Sequence, residues 1–72
     1  MTSNTLTRTP SPVDNATYNL LQALTSKLEA IEAYNKYAAD SGAGAELFER
    51  MAREDAEHAK DLVNQLRKQL SS

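Results

Sequence analysis

The chain has 72 residues, of which 40% are hydrophobic and 25% charged, and its formal net charge is -2. That length allows one small domain, and the weak charge, without any run of Lys or Arg, gives no electrostatic basis for binding nucleic acid. The absence of cysteine excludes disulfides and thiolate metal sites. Because so short a chain buries a small share of its surface, its stability usually requires oligomerisation or a bound metal.

Signals for membrane insertion or export are not found in the sequence. No apolar stretch approaches the roughly 18 residues that cross a bilayer, and no signal-peptide pattern is present. We therefore expect no membrane partner and a cytoplasmic location, either free or inside a protein compartment.

The first 13 residues differ in composition from the rest. Residues 1–13 are rich in Thr, Ser and Pro and hold one charged residue, Arg8. Such a segment cannot bury enough apolar surface to offset the entropy of ordering, so its composition predicts a disordered N-terminal tail. The alternative is a docking peptide for a protein partner, with Leu6, Arg8 and the two prolines as its anchors.

A first amphipathic helix is predicted from near Asp14 or Asn15, because both residue types are good N-caps. Apolar residues then recur at spacings of four and three, as one face of a helix requires; they are Leu21, Leu24, Leu28 and Ile31. Segment 40–44 follows and holds both glycines of the chain, which predicts a turn.

A second amphipathic helix is predicted from about Ala45 to Leu70. Its stripe consists of Phe48, Met51, Asp55, His58, Leu62 and Leu66. A short connection between two long helices makes them antiparallel neighbours. Since a hairpin leaves one face uncovered, residues 14–72 are predicted to be an all-α, antiparallel two-helix hairpin that assembles as a dimeric four-helix bundle or a larger homo-oligomer.

Two ionisable residues, Asp55 and His58, interrupt the apolar stripe of the second helix. Buried charges are normally paired or bound to a metal, and residues three apart project from the same face of a helix. This carboxylate–His spacing is the one by which di-iron bundles hold metal from inside. The alternative is an Asp–His hydrogen bond or an Asp–Lys ion pair that fixes the register of a polar core layer.

The stretch from Phe48 to Leu62 resembles the Glu-x-x-His helix of the ferritin-like superfamily. Rubrerythrins are similar at Phe48, Ala52, His58, Ala59 and Leu62. Asp55 stands where that family has a metal-bridging Glu, and it is a carboxylate one methylene shorter.

The first helix resembles the first metal-binding helix of bacterioferritins and rubrerythrins. The matching positions are Ala30, Ile31, Tyr34 and Ala38. Encapsulated ferritins, which are hairpins that dimerise to complete a di-iron site, have the same short architecture. Lys27 departs from the pattern, because the family has a ligand Glu there and a lysine adds positive charge where a metal needs negative charge. Folding about the turn places residues 27–30 beside 55–58, with Lys27 pointing either into the bundle or along its side.

The first hypothesis is a non-haem metal protein, and we favour it because Asp55 and His58 both stand in ligand positions. A dimer would bind iron, or manganese, through these residues of both chains. Glu32 or Glu29 would add a carboxylate, although Glu32 can instead pair with Lys36 on the helix surface. The resemblance then implies ferroxidase-type iron oxidation, for storage or detoxification.

The second hypothesis is a metal-free structural or adaptor module on a ferritin-like scaffold. Lys27 would form an ion pair with Asp55, and His58 would hydrogen-bond across the dimer. A buried Lys–Asp pair specifies register more than it stabilises. The N-terminal tail would then bind a protein partner.

Overall fold

The computed structural model describes residues 9–40 and 42–71, which form two long helices joined by a short turn. The first helix, α1, spans Asn15–Asp40, and the second, α2, spans Ala45–Ser71. Lys27 of α1 contacts Asp55 of α2, whereas the later residue Tyr34 stacks on the earlier residue Phe48. The helices are therefore antiparallel, and the predicted all-α hairpin is confirmed.

The predicted N-terminal tail lies mostly outside the described residues, which begin at Thr9. Residues 9–14 precede α1 and are not helical, and only Val13 among them is half-buried. The disorder of residues 1–13 and their role as a docking peptide stay predictions.

The start of α1 is fixed by a side-chain cap. Asp14 Oδ1 accepts a hydrogen bond from the Thr17 backbone N–H at 2.8 Å, and the Asp14 carbonyl accepts one from the Tyr18 N–H at 3.0 Å. The first N–H groups of a helix have no partner inside it, so an Asp at this position supplies one. The predicted start near Asp14 is confirmed.

A turn around Gly42 separates the two helices. No glycine in the described part of the chain has a positive φ, and a Cβ added at Gly42 would meet nothing within 4 Å. Glycine still disfavours helix through its backbone entropy. Past the turn, the Gly44 carbonyl accepts the Phe48 N–H at 3.2 Å and begins the ladder of α2.

The contact between the helices follows one line along α2. Ala52, Ala59 and Leu66 are buried at regular intervals of two turns. Only Leu66 belongs to the predicted stripe, so the buried line runs along one flank of that stripe rather than along its middle. Among the described residues no side chain is less than 2% exposed. A single hairpin therefore has a thin core, as expected for a chain of this length.

Neither helix, over the residues that the structure describes, has the length and hydrophobicity to cross a membrane. α2 carries charged residues from Glu46 to Lys68, whereas in α1 the first charged residue is Lys27. The cytoplasmic location stays a prediction.

Candidate functional site

Three polar residues meet near the middle of the hairpin, and we call them the polar cluster. Lys27 of α1 donates a hydrogen bond from Nζ to Oδ1 of Asp55 at 3.1 Å. His58, one turn further along α2, places Nδ1 3.1 Å from the same oxygen. Antiparallel packing brings Lys27 to this level, and the three-residue spacing on α2 brings the imidazole there. The expectation that residues 27–30 lie beside residues 55–58 is confirmed for Lys27 and Asp55.

Asp55 is the most enclosed member of the polar cluster. Its side chain is 13% exposed, whereas those of Lys27 and His58 are 38% and 58% exposed. The hydrogen bond from His58, followed by that from Lys27, holds the pKa of Asp55 below its ordinary value of 3.8. Both donors stabilise the ionised carboxylate, so Asp55 is an anion at neutral pH.

The tautomer of His58 follows from its contact with Asp55. An ionised carboxylate only accepts hydrogen bonds, so the Nδ1 of His58 must carry the proton that it donates to Oδ1. This assignment comes from the hydrogen-bond network. The other ring nitrogen is Nε2. The His58 side chain that carries it is more than half exposed in the single hairpin.

An aromatic cluster packs between the polar cluster and the turn. The Phe48 ring stacks on Tyr34 with centroids 6.2 Å apart and meets Tyr37 edge-on at 5.3 Å. Such pairs contribute beyond simple burial of their area. The sequence placed Phe48 in the stripe of the second helix but did not predict this cluster, because the pairing depends on the level at which the two helices pack.

The other carboxylates considered as metal ligands stay apart from Asp55. Glu32 and Glu29 are exposed on α1, and no hydrogen bond or ion pair in the described chain joins either to Asp55 or His58. At about 100° per residue, Glu32 lies about 140° around α1 from Lys27. Within one hairpin the structure therefore brings Asp55 and His58 together and leaves Glu32 on another side.

The residues present in one hairpin do not make up a ligand set for iron. Among the described residues no group of three or more His, Asp or Glu side chains could hold a metal ion. One of the two carboxylate oxygens of Asp55, Oδ1, already accepts hydrogen bonds from Lys27 and His58. Two hairpins would together supply two Asp55–His58 pairs, so binding by a dimer, with or without Glu32, stays a prediction.

Comparison with protein-family models, with curated proteins and with solved structures gives no match for this chain. The resemblance to the ferritin-like superfamily therefore rests on the residues of the two helices alone, and it stays a prediction.

Proposed function

We propose that this protein is a metal-free structural module, a hairpin that pairs with a second copy to form a four-helix bundle around the polar cluster. The observation that carries the proposal is the 3.1 Å contact between Lys27 Nζ and Asp55 Oδ1. In this arrangement the ammonium supplies the positive charge that a metal ion would otherwise supply to the carboxylate. The resemblance to ferritin-like hairpins then concerns the scaffold, since a fold alone does not establish a function.

Charge balance supports an ion pair in preference to a cation at this position. A metal ion at Asp55 would have to displace Lys27 or sit beside its positive charge. An ion pair between two helices disfavours arrangements that leave either charge unpartnered. Lys27 and Asp55 therefore set the level at which α1 and α2 pack.

The face that carries the polar cluster is suited to a second copy. Met51 and Leu62 are half-buried and lie four residues before Asp55 and four after His58, so all four residues lie along one side of α2. A two-fold axis would bring the same set from the second copy against it. Burial there supplies the apolar core that a single short hairpin lacks.

Metal content and assembly state together test this proposal. Purified protein would be analysed for iron, manganese and zinc, by native mass spectrometry, and by melting with and without EDTA. We expect a homo-oligomer without stoichiometric metal and no effect of EDTA. Bound metal that raises the melting temperature and disappears in His58→Ala would overturn the proposal in favour of the metal protein, and a monomer at micromolar concentration would overturn the pairing.

A charge reversal provides the sharper comparison. Lys27→Glu places a carboxylate beside Asp55, and its matched control is Lys36→Glu, an exposed lysine on the same helix. We expect Lys27→Glu to destabilise the assembly and Lys36→Glu to leave it nearly unchanged, because only the first reverses an interhelical contact. Equal behaviour of the two variants would contradict a role for the ion pair.

A further inference from the structure

We draw no further inference here: the strongest candidate, the exposed apolar face of α1 that includes Leu21 and Leu28 and borders an open groove between the helices, is unpartnered, and nothing in the described part of the chain shows what covers it.

Discussion

Lys27 Nζ and Asp55 Oδ1, separated by 28 residues in the chain, lie 3.1 Å apart across the two helices. The same oxygen accepts a hydrogen bond from His58. Within one chain the carboxylate of Asp55 therefore has two polar partners, and the ammonium of Lys27 carries the opposite charge.

Removing the charge of Lys27 should weaken the packing of α1 on α2. Lys27→Met keeps the aliphatic length and removes the ammonium, and we expect the melting temperature to fall by roughly 2–4 °C, since a partly exposed pair contributes little. The loss should shrink at high salt, because salt screens the pair. Thermal melting at two salt concentrations measures both effects.

A double-mutant cycle isolates the contact between these two side chains. In an Asp55→Asn background, Lys27→Met should have much less effect, because the acceptor charge is already gone. Lys36→Met is the control for removing a lysine from α1. Equal losses in the two backgrounds would mean that Lys27 stabilises the hairpin through its alkyl chain and not through Asp55.

The N-cap of α1 should be sensitive to loss of the Asp14 side chain. Asp14 Oδ1 accepts the Thr17 N–H at 2.8 Å, so Asp14→Ala leaves that N–H without its partner. We expect a lower helix content by circular dichroism and a melting temperature lower by a few degrees. Asp14→Ser, which retains a capping oxygen, should behave close to wild type, and similar losses for both variants would argue against the cap.

Most of the fold could be predicted from local chemistry. α1 begins at Asn15, directly after its capping residue Asp14, and α2 begins at Ala45. Both starts are predictable because capping residues and glycines act on their own neighbours in the chain. The antiparallel order follows from a connection too short for any other arrangement. Apolar periodicity also identifies which residues lie on a face, although it does not say which side of a broad face meets the other helix.

The contacts of the polar cluster depend on which side of α1 meets α2. The leucines of α1 are predicted to face the interior, yet Leu28 is largely exposed in the hairpin and Lys27 beside it points to α2. The next residue along a helix lies about 100° away, so a rotation of α1 by about that angle would exchange the two roles. The long lysine side chain adds to this ambiguity, because its amine can reach acceptors on several sides.

The buried line of α2 should carry much of the stability of the hairpin. Leu66 is 6% exposed and Leu70, on the same helix, is 69% exposed. Leu66→Ala should lower the free energy of unfolding by about 2–3 kcal/mol, whereas Leu70→Ala should change it by less than about 0.5 kcal/mol. Urea denaturation at one fixed protein concentration measures both, since the stability of an oligomer depends on concentration. Similar losses would show that Leu70 is also buried in the assembly.

The low pKa of Asp55 predicts loss of stability in acid. Hydrogen bonds from His58 and Lys27 lower the pKa of Asp55 from 3.8 in the folded state, so its contribution is complete above that value and is lost as the pH falls through the lower folded pKa. Melting temperatures from about pH 6 to about pH 2 should therefore fall more steeply for wild type than for Asp55→Asn. Asp61→Asn, an exposed acid on the same helix, should keep the wild-type slope. A parallel fall for Asp55→Asn would mean that other carboxylates dominate the acid response.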